Sequence, residues 1–233
     1  GYVAAIRAAQ LGKSVTVVDK GQAGGVCLNV GCIPSKALIS AAHQYETVSH
    51  AGDIGISVEG VKVDFAKVQT WKSGIVNKLT SGVKNLFKGN NIQLVSGEAF
   101  FTAEDEVRVV SGYEGMRYKF NQCIIATGSR PFELKSCPFG GRILSSTEAL
   151  NLPEVPKSMV VIGGGYIGIE LGQTYAKFGT KLTVLEGGKA ILPGFEEEAT
   201  RFVQRNLKKL GVETITEAMA QGATQTDKDV TVT

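Results

Sequence analysis

One segment of the chain, Val161–Gly168, constrains the fold more than any other part of the sequence. It reads Val-Ile-Gly-Gly-Gly-Tyr-Ile-Gly, with the glycine spacing G-x-G-x-x-G. An apolar run precedes it, a helical pattern follows it, and Glu186 ends a second apolar run eighteen residues after Gly168. In this strand–turn–helix context the spacing predicts a β-α-β unit that binds the pyrophosphate of a dinucleotide and holds a ribose with the acid.

The start of the chain repeats the second half of this pattern. In both copies a glycine is followed eleven residues later by another glycine and eighteen residues later by an acid: Gly1, Gly12 and Asp19 in one, and Gly168, Gly179 and Glu186 in the other. We interpret Gly1 as the third glycine of another fingerprint, and we expect the sequence to begin inside that unit. Two units predict two bound dinucleotides.

Strands alternate with helices along the chain, which predicts an α/β fold with two Rossmann-like, three-layer domains. The apolar periodicity predicts helices at 2–11, 35–50, 65–87, 166–178 and 196–210, and strands at 15–18, 92–95, 107–110, 118–125, 159–162, 181–185 and 212–215. Pro153 and Pro156 mark a linker at 151–157. We expect a dinucleotide-binding domain over residues 1–150 and an incomplete second one over residues 151–233.

Composition excludes several other classes of protein. The formal net charge is only +3, and no segment concentrates Lys and Arg as a nucleic-acid surface would require. The apolar run Met159–Ile162 is too short to span a bilayer, and no secretion signal is recognisable. We therefore expect a cytoplasmic protein that binds neither nucleic acid nor membrane.

Two of the four cysteines, Cys27 and Cys32, lie close together in sequence. A zinc site would need two more ligands at matching spacing, and Cys123 and Cys137 do not supply them. A structural disulfide is unusual in a reducing compartment. Redox chemistry suits the pair best, because a helix start lowers the pKa of a thiol there, and Lys36 would share that helix face with Cys32.

The remaining side chains that could carry chemistry favour structural roles. His43 and His50 fall in a helix and at its end, where a structural or solvent-facing role is expected. Cys123 precedes an apolar run and is expected in the core, whereas Cys137 lies in a Pro/Gly loop and is expected to be exposed. Trp71 is expected to pack rather than to stack on a ligand.

The segment Gly24–Lys36, Gly-Gly-Val-Cys-Leu-Asn-Val-Gly-Cys-Ile-Pro-Ser-Lys, resembles the redox-active segment of the dihydrolipoamide dehydrogenase family almost residue for residue. The resemblance extends to Ile124–Pro131 and to both glycine patterns. Glutathione and mercuric reductases share the cysteine spacing, but Leu28, Ile33 and Ser35 are closer to the lipoamide family. These reductases stay as alternatives.

The resemblance implies FAD and NAD as cofactors and a role for each matching residue. Cys27 would exchange with substrate, Cys32 would face the flavin as a charge-transfer donor, and Lys36 would lie beside the flavin and pair with Glu170. The implied FAD contacts are Gly1, Asp19 (where the family commonly has Glu), Lys20, Gly24, Gly25, Val26, Cys27, Lys36, Ala99, Thr127, Gly128 and Ser129. The implied NAD contacts are Gly163, Gly164, Gly165, Tyr166, Ile167, Gly168, Glu186 and Ala220, and an acid at 186 favours NAD over NADP.

The resemblance also implies a homodimer that oxidises dihydrolipoyl groups of 2-oxo acid dehydrogenase complexes with NAD+. Its partners would be a lipoyl domain and the peripheral-subunit-binding acyltransferase, in the bacterial cytoplasm or the mitochondrial matrix. The family's central and dimer-interface domains and its histidine base are expected beyond Thr233. The chain as written is therefore expected to be inactive, and an inactive nucleotide-binding fragment stays as a further alternative.

Overall fold

The structure, a computed structural model, describes the whole chain, residues 1–233. The helices are α1 (Tyr2–Gln10), α2 (Gly25–Val30), α3 (Cys32–Ser49), α4 (Phe65–Gly89), α5 (Ser146–Ala149), α6 (Tyr166–Lys177) and α7 (Glu197–Lys209), with a 3-10 turn at Ala51–Ile54. The strands are β1 (Thr16–Asp19), β2 (Gln93–Ser96), β3 (Glu98–Ala103), β4 (Glu106–Ser111), β5 (Glu114–Lys119), β6 (Ser158–Ile162), β7 (Lys181–Leu185), β8 (Glu213–Ile215), β9 (Ala223–Gln225) and β10 (Val230–Val232).

The chain divides into two compact units, each built from two stretches of sequence. The first contains Gly1–Ile33 and Gly74–Arg130, and the second contains Pro34–Ser73 and Pro131–Thr233. Helices α3 and α4 each contain residues of both units. The domain boundary predicted at residue 150 stays a prediction.

The first unit combines a parallel strand pair with an antiparallel sheet. Strand β1 pairs in parallel with β2, while β3, β4 and β5 form a three-stranded antiparallel sheet in that order. Its core joins the apolar face of α1 to the part of α4 that belongs to this unit, through the buried side chains Ala5, Val83, Phe87 and Ile92. Burial of this apolar stripe holds α1 against the strand that ends at Asp19.

The second unit contains the complete β-α-β pattern. Strands β6, β7 and β8 are parallel and adjacent in that order, and α6 connects β6 to β7. Ile169 of α6, Leu182 and Val184 of β7 and Leu207 of α7 form its buried core. Strands β9 and β10 form a separate antiparallel hairpin.

Most predicted elements are present, but one predicted strand is wrong. Residues 120–133 contain neither helix nor strand, although a strand was predicted at 118–125. The strand ends earlier because β5 uses Glu114–Lys119 to pair with β4, and Ile124 and Ile125 lie outside the ladder with 68% and 70% of their surface exposed. An apolar run predicts a strand only where a neighbouring strand can satisfy its backbone. Helices α2 and α5 and strands β3, β9 and β10 were not predicted.

The expected environments of the two remote cysteines are reversed. Cys123 was expected in the core and is exposed, because no strand forms around it. Cys137 was expected at the surface and is 3% exposed. Its N–H donates to the carbonyl of Leu134 at 2.9 Å, in a tight turn. Both thiols are free.

One apolar stretch, Gly25–Ser49, has the length and hydropathy of a membrane-crossing helix, a property that core helices share. It is interrupted between α2 and α3 at Gly31. The predicted absence of a membrane segment stays a prediction.

Candidate functional site

Cys27 and Cys32 are joined by a disulfide whose Cα atoms are 4.7 Å apart. Cys27 lies in α2, Cys32 is the first residue of α3, and both are exposed. Gly31 makes the close approach possible, because a Cβ at this position would lie 3.0 Å from both the Cα of Cys27 and the carbonyl oxygen of Val26. Helix α2 and the close approach at Gly31 thus place the disulfide at the surface and at the start of α3.

The loop before the disulfide depends on glycine and on one amide side chain. Gly24 and Gly25 have φ angles of 122° and 73°, which residues with a Cβ rarely adopt. The Asn29 side chain donates to the carbonyls of Gln22 at 3.0 Å and Gly25 at 2.9 Å. Sequence reasoning missed Asn29, since a single amide between two cysteines carries no periodic signal.

Lys36 lies one turn beyond Cys32 on α3 and forms an ion pair with Glu170 of α6. Its Nζ is 2.6 Å from both carboxylate oxygens of Glu170. The Lys36 side chain is 57% exposed and that of Glu170 34%. The contact implied by the family resemblance is therefore present, and the catalytic roles of these two residues stay predictions.

A second ion pair joins the same two helices near their C-terminal ends. Lys177 Nζ lies 2.7 Å from Glu46 Oε2, with His43 Nδ1 3.6 Å from the same oxygen. Partial burial acts to raise the pKa of the Glu46 carboxyl, but the hydrogen bonds and charges of Lys177 and, to a smaller extent, His43 outweigh it and lower that pKa below its ordinary value. Helices α3 and α6 are held at both ends by opposite charges.

A buried lysine lies in the same unit and was not predicted. Lys72 is 2% exposed and donates to the Leu150 carbonyl at 2.6 Å and to Asn151 Oδ1 at 2.7 Å. Burial lowers the pKa of its ammonium group. Leu150 and Asn151 follow directly after helix α5, so the Lys72 ammonium group stabilises the C-terminal end of that helix.

The predicted FAD contacts other than Lys36 lie in the first unit, and several are close together. A Cβ at Gly1 would lie 3.4 Å from the Cβ of Ala126, and one at Gly128 would lie 3.4 Å from Val26. Gly128 also has a φ of 75°. Three predicted contact segments, at residue 1, at residue 26 and at residues 126–128, therefore lie close together in the first unit.

The other predicted FAD contacts lie on the strands of this unit. Asp19 ends β1 and accepts the Gly21 N–H at 2.8 Å. Lys20 Nζ lies 3.3 Å from Glu98, in an exposed ion pair. Ala99 is paired with Val109 across the antiparallel sheet, while Thr127 and Ser129 flank Gly128 in a segment without helix or strand. The neighbouring glycine-bearing segments and the acid at the end of β1 fit a dinucleotide such as FAD.

The predicted NAD contacts all belong to the second unit, and all of them except Ala220 lie at or beside the start of α6. Gly163 has a φ of 101°, and a Cβ at Gly168 would lie 2.6 Å from the Gly163 carbonyl. Nothing lies within 4 Å of the Cβ position of Gly165. The first turn of α6 has no side-chain cap and no acidic residue. Its free N–H groups and open approach fit a pyrophosphate.

Glu186 follows β7 and fastens the glycine turn. One carboxylate oxygen accepts the Gly164 N–H and the other accepts the Gly188 N–H, both at 2.7 Å. A Cβ at Gly164 would lie 3.0 Å from Glu186 Oε2, so this close contact requires glycine. The acid therefore lies at the turn, where a ribose hydroxyl would replace a backbone donor.

The outer parts of this predicted site are Tyr166, Ile167 and Ala220. Tyr166 and Ile167 are 60% and 47% exposed on the first turn of α6. The Ala220 carbonyl accepts the Ser136 hydroxyl at 3.4 Å. These residues are accessible, and their assignment as NAD contacts stays a prediction.

Comparison with known proteins places the whole chain in one group. Residues 1–233 match the sequence profile described as pyridine nucleotide-disulphide oxidoreductase. The chain is 60% identical over 233 residues to dihydrolipoyl dehydrogenase of Geobacillus stearothermophilus and 58% identical over 234 residues to that of Bacillus subtilis. Each match covers 100% of this chain and 50% of the relative, so the chain spans about half the length of these curated relatives. The resemblance inferred from the redox segment is confirmed.

Solved structures confirm the predicted α/β, Rossmann-like fold. LpdA from Mycobacterium tuberculosis matches with a TM-score of 0.91 at 22% identity, over 100% of this chain and 52% of that chain. RclA from Escherichia coli, an HOCl-induced flavoprotein disulfide reductase, matches with a TM-score of 0.82 at 27% identity, over 100% of this chain and 50% of that chain.

Proposed function

The chain belongs to the pyridine nucleotide-disulphide oxidoreductase family, and from this membership we propose that the complete protein oxidises dihydrolipoyl groups with NAD+, using FAD and the Cys27–Cys32 disulfide. One observation carries the proposal, namely that this disulfide is exposed and closes onto the first residue of a helix. An exposed disulfide is open to attack by a thiolate, which is the first step of thiol–disulfide exchange.

Cys27 is the sulfur that the substrate attacks in this proposal. A thiolate of the dithiol substrate bonds to Cys27 Sγ, and the Cys27–Cys32 bond breaks with its electron pair leaving on Cys32. The leaving sulfur lies on the first turn of α3, where the positive end of the helix dipole lowers the pKa of a thiol and stabilises its thiolate. This position makes Cys32 the better leaving group.

The second substrate thiol, once deprotonated, then attacks the substrate sulfur that is bonded to Cys27. The substrate leaves as a cyclic disulfide, and Cys27 takes up a proton as a thiol. Two electrons have passed from the substrate to the cysteines, so the protein holds a Cys27 thiol and a Cys32 thiolate. Lys36 contributes a positive charge one turn along α3, and Glu170 fixes its position.

Each cofactor has a set of residues that would hold it. Gly1, Val26, Asp19 and Gly128 would hold FAD through backbone and ribose contacts, and the glycine turn with Glu186 would hold NAD. When bound, FAD supplies a two-electron carrier between the cysteines and the nicotinamide, which accepts a hydride. Glu186 favours NAD because a carboxylate repels the 2′-phosphate of NADP.

The partner and assembly follow from the proposed substrate. The dithiol would be presented on a lipoyl domain of a 2-oxo acid dehydrogenase complex, with the peripheral-subunit-binding acyltransferase as the docking partner. The complete protein would act as a homodimer in the bacterial cytoplasm, or in the mitochondrial matrix of a eukaryote. The names of the dihydrolipoyl dehydrogenase relatives support the assignment to a 2-oxo acid dehydrogenase complex.

Turnover by the full-length protein tests the substrate and the nicotinamide together. We expect NADH formation from dihydrolipoamide and NAD+, with far slower turnover of glutathione disulfide by NADPH. A matched pair of variants separates the redox cysteines from a free one: Cys27→Ser should abolish turnover, and Cys123→Ser should leave it unchanged. Preference for glutathione disulfide and NADPH would instead assign another reductase of the family.

A further inference from the structure

Asn29 lies between the two redox cysteines, and the mechanism above does not use it. Its amide Nδ2 donates to Gln22 at 3.0 Å and Gly25 at 2.9 Å, with the Ala23 carbonyl at 3.5 Å. A side-chain amide has two N–H bonds, so the two shorter contacts use its full donor capacity. Resting on the proposed function, we infer that Asn29 is a positioning residue that keeps Cys27 beside Cys32 while the disulfide is open.

The helix that carries Cys27 depends on this amide. Helix α2 has six residues, and its N-cap Gly24 makes no side-chain capping bond. A helix this short is not stable by itself, and the two glycines at its start add backbone freedom. The bond from Asn29 to Gly25 spans α2, and the bond to Gln22 fastens α2 to the preceding loop.

Reduction removes the other restraint on Cys27. A dithiol reductant breaks the Sγ–Sγ bond, gives two electrons to the cysteines and one proton to Cys27, releases its second proton to solvent, and becomes a disulfide itself. The chain through Gly31 and the Asn29 hydrogen bonds then hold the two thiols together. Because closure is intramolecular, thiols held close together favour the disulfide, and loosened thiols favour the reduced form.

The reduction equilibrium of the disulfide tests this role directly. Full-length, FAD-loaded protein is equilibrated anaerobically with graded ratios of reduced and oxidised dithiothreitol, and alkylated Cys27 and Cys32 are counted by mass spectrometry. We expect Asn29→Ala to shift the equilibrium about tenfold towards the dithiol, which corresponds to about 30 mV for a two-electron couple. Asn29→Gln keeps the amide donor and should therefore shift the equilibrium less than Asn29→Ala does.

Asn90 provides a matched control in the same unit. Its side-chain amide donates to the Leu86 carbonyl at 2.8 Å, four residues earlier, as Asn29 does to Gly25. Asn90→Ala removes the same kind of bond at the end of α4, away from the cysteines in sequence. Asn90→Ala should leave the reduction equilibrium of the cysteines unchanged, even if the midpoint of thermal unfolding falls in both Asn90→Ala and Asn29→Ala.

The outcomes separate this inference from the proposed function. A wild-type disulfide that dithiothreitol cannot reduce overturns the proposed function and this inference with it. A normally reducible wild type with an unshifted Asn29→Ala variant overturns the inference alone. A shift towards the disulfide, or an equal shift in Asn90→Ala, also overturns it.

Discussion

The loop before the disulfide and the glycine turn before α6 are held by side chains of opposite hydrogen-bonding character. In the first, the neutral Asn29 amide donates to backbone carbonyls. In the second, the Glu186 carboxylate accepts backbone N–H groups. A carboxylate beside the cysteines would raise the pKa of their thiols and disfavour the thiolate, whereas a carboxylate at the glycine turn can accept ribose hydroxyls. Each turn is stabilised by a group that suits the chemistry expected beside it.

The largest expected effect comes from removing a redox cysteine, which should stop turnover without weakening nicotinamide binding. In the full-length protein, Cys32→Ser should lower dihydrolipoamide turnover by at least about 10³-fold, because no disulfide remains to accept electrons. Binding of NADH, measured by calorimetry, should remain within about twofold of the wild-type value, which is about 0.4 kcal/mol. Substantial residual turnover would show that electrons bypass the cysteines.

A substitution in the glycine turn should instead weaken NADH binding and leave the reduction equilibrium of the cysteines unchanged. A Cβ at Gly168 would lie 2.6 Å from the Gly163 carbonyl, so Gly168→Ala forces the helix away from the turn. Overpacking of this kind costs about 1–3 kcal/mol, and we expect NADH affinity to fall about tenfold or more. Gly82→Ala, in α4 with open space around it, is the matched control and should not weaken NADH binding. The reduction equilibrium of the cysteines should be unchanged in both variants.

Replacing Glu186 tests whether its negative charge contributes to nicotinamide binding. Glu186→Gln keeps the shape of the side chain but removes its negative charge, and it replaces one of the two carboxylate oxygens that accept the Gly164 and Gly188 N–H groups with an NH2 group, which only donates. Hydrogen bonds to charged groups contribute about 1.5–3 kcal/mol, so NADH affinity should fall about tenfold while NADPH loses less. Equal losses for both nucleotides would contradict a role for Glu186 in selecting NAD.

The spacing of the glycines and acids made the second unit predictable, because a β-α-β turn requires glycine and an acid at fixed distances along the chain. Environments that depend on distant partners were not predictable. Cys123 and Cys137 exchanged their expected exposures because the burial of a thiol depends on which segments fold over it. Asn29 and the pair formed by Glu46 and Lys177 depend on contacts that neither periodicity nor spacing reports.

The smallest expected effect comes from the ion pair between Glu46 and Lys177. Since the folded state lowers the pKa of Glu46, the pair stabilises the fold above the carboxyl's ordinary value of 4.5, and this stabilisation is lost as pH falls through the lowered pKa. Glu46→Gln should therefore lower the free energy of unfolding by about 0.5–1 kcal/mol at neutral pH and by less in acid.

The loss of unfolding free energy in Glu46→Gln is measured by chemical unfolding at neutral and at acid pH, with Glu197→Gln as the control. Glu197 pairs with Arg201 on the exposed face of α7, where an i,i+4 pair contributes about 0.3–0.5 kcal/mol. A loss for Glu46→Gln that stays constant across pH would contradict the electrostatic explanation.

The central claim is that the Cys27–Cys32 disulfide connects thiol chemistry to nicotinamide chemistry, and an anaerobic single-turnover titration tests it most directly. Full-length, FAD-loaded protein receives one equivalent of dihydrolipoamide and then NAD+, with the cysteines trapped by alkylation at each stage. We predict that Cys27 and Cys32 become alkylatable after the dithiol and are again protected after NAD+, with one NADH formed per disulfide. NADH formation while both cysteines stay protected throughout would contradict the claim.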